Sequence, residues 1–159
     1  MPELILVIGL PGSGKSTWVR EKYDYARLFQ GKTTILSSDQ VRQELFGDEN
    51  DQTHNEEVFQ YIKEVAVGRL KMGHRVIIDA TNITRKSRKS ITDYVEQQLG
   101  GFYEYGFIKF VVIATPYYKC LENNRKRSRQ VPEYVIERMY KQFEFPTYSE
   151  VIKKYGWKI

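Results

Sequence analysis

Apolar residues along the chain fall into two alternating patterns. Four short runs, "LILVIG" (4–9), "TTILS" (33–37), "RVIID" (75–79) and "FIKFVVI" (107–113), are aliphatic or β-branched and bounded by glycine or polar residues, which predicts buried strands. Helical spacing separates them. Val58, Ile62, Val65, Ala66 and Leu70 share one face behind a capping box Thr53-x-x-Glu56, and Gly73 ends that helix. A second helix follows "TNIT" with Ile91, Tyr94, Val95 and Leu99 on its apolar side. A third is predicted with Thr115 as N-cap and Pro116 in its first turn. The last opens near Pro132, carries Val135, Ile136, Met139 and Phe143, and stops before Pro146. The tail "TYSEVIKKYGWKI" fits either a short helix or an edge strand. This alternation predicts an α/β fold with a parallel sheet covered on both faces, whose ligands bind at the carboxyl ends of the strands.

The chain has 159 residues, the size of one domain, and residues 1–159 are expected to form a single one. One cysteine, Cys120, permits no internal disulfide, and the first residues lack the pattern of a secretory signal. No apolar run approaches the roughly 18 residues of a membrane span. A cytoplasmic location without membrane attachment is therefore expected. The formal charge is +5, and the excess gathers in "RKSRK" (85–89) and "RKRSR" (125–129), which makes polyanionic partners plausible.

Residues 9–16, "GLPGSGKS", satisfy the pattern G-x-x-x-x-G-K-[ST] between a predicted strand and a predicted helix. Gly12, Ser13 and Gly14 let backbone N–H groups approach phosphate oxygens, and the helix start adds its positive dipole end. Lys15 is expected on the β- and γ-phosphates, Ser16 on Mg²⁺ and Thr17 on the α-phosphate. The implied ligand is a nucleoside triphosphate with Mg²⁺. A short chain with no guanine-reading "NKxD" segment points towards a small kinase.

The acceptor side is read from "SSDQVR", where Asp39 and Arg42 lie three residues apart on one helical face. Beside a phosphate-binding loop, Asp39 is the candidate base for an attacking hydroxyl and Arg42 a clamp for an anionic acceptor group. Without that context the two form an ordinary first-turn acid and surface ion pair. Asp79, ending "RVIID", is the candidate to support the metal or orient Arg42, and Asn82 and Thr84 read as helix caps. Arg125, Arg127 and Arg129 crowd a break between helices, where at least one is expected to stabilise charge on the transferring phosphoryl group. His54 and His74 have no metal-ligand spacing.

Four segments together, "LILVIGLPGSGKST", "SSDQVRQELFGDENDQT", "RLKMGHRVIIDATN" and "RQVPEYVIERM", resemble the P-loop 5′-hydroxyl polynucleotide kinases, meaning the phage enzyme and the kinase module of bacterial RNA end-healing proteins. The resemblance spans nearly the whole chain. It implies a three-layer, adenylate-kinase-like P-loop kinase with a sheet of four or five strands in the order 2-3-1-4-5 and a helical lid at about 116–135. It also implies transfer of the ATP γ-phosphate to the 5′-OH of RNA or DNA. Lys15 and Ser16 would serve ATP and Mg²⁺, Asp39 would be the base and Arg42 would hold the phosphate beside the terminal nucleotide. Arg127 and Arg129 would contact the ATP phosphates, Arg127 as the catalytic one. Asn123 stands where the family has a lid arginine, which makes Arg125 the candidate substitute at ATP. Two alternatives stand beside this reading: a kinase of a small-molecule or tRNA-linked hydroxyl, and an ATP-binding switch with no acceptor. Monomer and homodimer are both compatible with the sequence.

Overall fold

The computed structural model describes residues 2–30, 32–100, 107–147 and 150. Strands β1 (Glu3–Ile8), β2 (Thr33–Ser37), β3 (Arg75–Asp79) and β4 (Phe107–Val112) alternate with helices α1 (Lys15–Gln30), α2 (Ser38–Phe46), α3 (Asn55–Lys71), α4 (Arg85–Leu99), α5 (Tyr117–Arg125) and α6 (Glu133–Gln142). The strands form one parallel sheet in the order β2-β3-β1-β4. This is the order expected for the first four strands, and the tail from which a fifth would come lies mostly outside the described residues.

The two faces of β1 explain the layering. Leu4 and Leu6 join Val76 and Ile78 against Val58, Ile62, Ala66 and Leu70 of α3 and Ile91 and Val95 of α4. Ile5, Val7 and Ile77 point the other way, onto Val19 and Tyr23 of α1. Burying each such side chain contributes about 1.5–3 kcal/mol, so a one-residue register slip that exchanged the faces would forfeit many of them. The pairing fixes Val7 opposite Asp79 and Asp79 opposite Ser37. The loops after β1, β2 and β3 therefore leave the sheet at one level.

Two predicted caps differ. The helix expected from Thr53 begins at Asn55 with His54 as its N-cap, because the Thr53 hydroxyl donates to Asp51 Oδ1 at 2.6 Å instead of capping. Pro116 rather than Thr115 precedes α5, and the Thr115 hydroxyl donates to the Ser13 carbonyl at 2.7 Å. Thr84 does cap α4, accepting from Ser87 N–H at 3.1 Å. Among the described residues, no helix is long and apolar enough to cross a membrane.

Candidate active site

The loop after β1 is shaped by close approach. Gly12 has φ +80°, and a Cβ there would lie 2.4 Å from the Cys120 carbonyl oxygen of α5. Gly14 has φ +92°, a conformation costly for residues with a side chain. Trp18 N–H donates to the Gly14 carbonyl at 2.9 Å, making Gly14 the N-cap of α1 and leaving the N–H groups of Lys15, Ser16 and Thr17 without intrahelical acceptors. The Ser13 hydroxyl is buried with no protein partner. Free amides, an orphaned hydroxyl and the dipole end of a long helix suit phosphate oxygens.

Lys15 Nζ donates to the Leu10 carbonyl at 2.9 Å. Burial pushes its ammonium below the usual value, while the charges of Asp79 and Asp39 oppose that shift and Arg127 adds to it. Next to it, the Ser16 hydroxyl donates to Asp79 Oδ2 at 2.7 Å, across 63 positions of sequence. One hydroxyl and one carboxylate are hard oxygen donors suited to Mg²⁺. Among the described residues no cluster of three or more His, Cys, Asp or Glu exists to cage a metal, so an ion here would complete its shell with substrate phosphates and water, as Mg²⁺ does.

On the neighbouring strand end, Ser37 caps α2 and sets Asp39 in its first turn. Arg42 Nη1 donates to Asp39 Oδ1 at 2.9 Å, and Arg129 Nη2 donates to Asp39 Oδ2 at 3.1 Å. Arg42 is buried, and its Nε and Nη2 both donate to Asn55 Oδ1, at 3.3 and 2.9 Å. Arg129 Nε also lies 3.2 Å from Glu49 Oε1. Asp79 thus bonds Ser16 and not Arg42, whose orientation comes from Asp39 and Asn55.

The three arginines between α5 and α6 separate. Arg125 donates to Glu133 at 2.6 Å on an exposed surface of the same segment. Arg127 is exposed, its charge acting on Lys15. Arg129 reaches across to Asp39. Asn123, at the arginine position of the resembling family, donates from Nδ2 to the Gly12 carbonyl at 3.0 Å. Asn124 is buried and closes the turn, donating to the Val131 carbonyl at 2.7 Å and accepting from its N–H at 2.9 Å.

A family model described as an AAA domain, AAA_33, matches residues 4–146, which contain every residue of this site. The chain belongs to that family. Among solved structures, the AAA-domain chain is similar to a chain of the Pnkp1/Rnl/Hen1 RNA repair complex, at 27% identity and a TM-score of 0.70 over 89% of this chain and 43% of that one. It thus spans less than half the length of that relative. A gluconokinase from Sinorhizobium meliloti 1021 shares the fold at 17% identity and a TM-score of 0.59, with 91% of this chain and 77% of that one covered. So does the Mycobacterium tuberculosis APS kinase CysC, in complex with AMPPNP and APS, at 24% identity, a TM-score of 0.60 and coverage of 79% and 69%. The AAA-domain chain has a P-loop kinase fold with a nucleotide-binding loop.

Proposed function

We propose that this AAA-domain protein is an ATP- and Mg²⁺-dependent kinase of polynucleotide 5′-hydroxyl ends. The observation that carries the reading is Asp39, a carboxylate held between Arg42 and Arg129 beside the Ser16–Asp79 pair. Similarity to a chain of an RNA repair complex supports a nucleic-acid acceptor.

In the proposed reaction the 5′ oxygen bonds to the γ-phosphorus as the bond from phosphorus to the β,γ-bridging oxygen breaks, and the hydroxyl proton passes to Asp39. Arg42 holds the acceptor phosphate nearest that hydroxyl. Lys15, Thr17 and the N–H groups of residues 15–17 would hold the triphosphate, with Ser16 and Asp79 at the metal. Mg²⁺, when bound, neutralises phosphate charge. Arg127 would act on the γ-phosphate, and Arg129 and Arg125 would serve the nucleotide as the lid at about 116–135 closes. Such positioned charges act where the transition state is most negative.

The test is transfer of label from γ-labelled ATP, with Mg²⁺, to a panel of 5′-OH oligonucleotides and small alcohols. Label should appear on oligonucleotides, fall at least about a hundredfold in Lys15→Ala, and fall comparably in Asp39→Asn with nucleotide binding retained. Label on a small alcohol alone would replace the acceptor assignment. A near-normal rate for Asp39→Asn would remove the base.

A further inference from the structure

Arg88 belongs to the basic run 85–89, yet it is fully buried and faces away from solvent. Its Nε and Nη2 donate to the two carboxylate oxygens of Glu150 at 3.0 and 3.2 Å, and its Nη1 donates to the Asn82 carbonyl at 2.9 Å. The guanidinium also lies 6.0 Å from the Phe110 ring centroid. Each of its three nitrogens is engaged inside the protein, and none is exposed to meet a substrate.

Asn82 gives this contact its importance. Its φ of +46° is rare for a residue with a side chain, and it is buried between Asp79 and the α4 cap. Its Nδ2 donates to the Val7 carbonyl at 2.8 Å, two positions before the phosphate-binding loop begins at Gly9. Gly9 N–H in turn donates to the Thr81 carbonyl at 3.1 Å. The loop 80–84 is therefore sewn to the start of the phosphate-binding loop on one side and to Arg88 on the other. Beyond α6, Glu144 N–H donates to the Ile83 carbonyl at 2.8 Å, so the segment around Glu150 is tied to the same loop directly at Ile83 and, through Arg88, at Asn82.

We propose that Arg88, held by Glu150, is a positioning residue that fixes the loop 80–84 and through it the Ser16–Asp79 pair and the phosphate-binding loop. A buried ion pair is a poor source of net stability, because desolvation of both charges cancels most of their attraction. What it supplies here is direction. The planar fork donates to one carboxylate along one edge and aims an Nη1 N–H at the carbonyl of a residue in an uncommon backbone conformation. An apolar pair of similar volume would fill the space without that aim. This role rests on the kinase reading for its rate measurement, but concerns only the nucleotide half of the site.

The deciding experiment replaces the pair with Arg88→Met and Glu150→Leu together, beside Glu150→Gln alone. Melting temperature, amide exchange at Gly9 and the Mg²⁺ dependence of AMPPNP binding are measured in each. The double variant should melt near the wild type, exchange the Gly9 amide faster, and need about tenfold more Mg²⁺ for half-maximal nucleotide affinity. Its phosphoryl-transfer kcat should fall with the acceptor KM unchanged. Wild-type melting combined with wild-type Mg²⁺ dependence and Gly9 exchange would overturn the role, since the pair would then be filling space only. If the double variant does not fold, Glu150→Gln decides: the same shift in Mg²⁺ dependence upholds the role and its absence overturns it. A wild-type protein that transfers label to no acceptor would defeat the kinase reading, while exchange and nucleotide binding would still decide on Arg88.

Discussion

In the proposed reaction Asp39 is useful only if the arginine beside it points at the acceptor and not merely at Asp39. Asn55 supplies that constraint, since its side-chain oxygen takes two of the Arg42 donors. Asn55→Ala should therefore raise the acceptor KM several-fold, leave the ATP KM unchanged and lower kcat little, a split visible in steady-state kinetics with both substrates varied. Asp39 and Arg42 were legible because helical spacing puts them together and the phosphate-binding loop supplies context. Asn55 and Glu49 were not, because nothing in their local pattern marks them. Asn55 meets Arg42 only once the chain folds back from α2 to α3, and Glu49 meets Arg129 only once the segment between α5 and α6 packs beside it. Among the arginines of 125–129 the sequence showed a cluster, but their different partners depend on packing.

At the scale of elements, the phosphate-binding loop and α5 are one unit. Thr115 and Asn123 both bond carbonyls of the loop, and the Cys120 carbonyl crowds Gly12. Gly12→Ala would place a methyl group against backbone that cannot rotate away, and would strain a positive φ by about 1–2 kcal/mol besides. Nucleotide affinity should fall at least tenfold and the melting temperature should drop, as calorimetry and thermal denaturation would show. The strands and most helices could be read from periodicity because their apolar faces are the core. The two caps were misjudged because a threonine hydroxyl serves whichever acceptor lies nearest, one brought by a local turn and the other by the tertiary fold. Asp51 took that of Thr53, and the Ser13 carbonyl that of Thr115.

For the whole molecule, the sheet separates function from support. Glu3, at the opposite end of β1, is buried and ion-paired to Arg75 of β3 and to Lys109 of β4, the latter at 2.7 Å. Burial pushes its carboxyl up, but the bonds from Lys109 and Arg75 outweigh burial and hold it below the ordinary value of 4.5. A carboxyl lowered in the folded state contributes stability above its unfolded pKa, and loses it as pH falls through the folded one. Glu3→Gln should thus destabilise the protein at neutral pH by up to about 3 kcal/mol, with the gap closing well below pH 4.5. Denaturant titrations at the two pH values would check this. The phosphate-transfer rate should not change, since the site lies about 16 Å along the strands.

Lys15 meanwhile already has an occupant for its ammonium, the Leu10 carbonyl. The loop is in this sense its own competing ligand. A triphosphate must take the ammonium from a satisfied hydrogen bond, so association is an exchange of partners and the measured affinity understates the attraction between lysine and phosphate. A nucleotide leaving such a loop would return the Lys15 ammonium to the Leu10 carbonyl, five positions earlier in the chain.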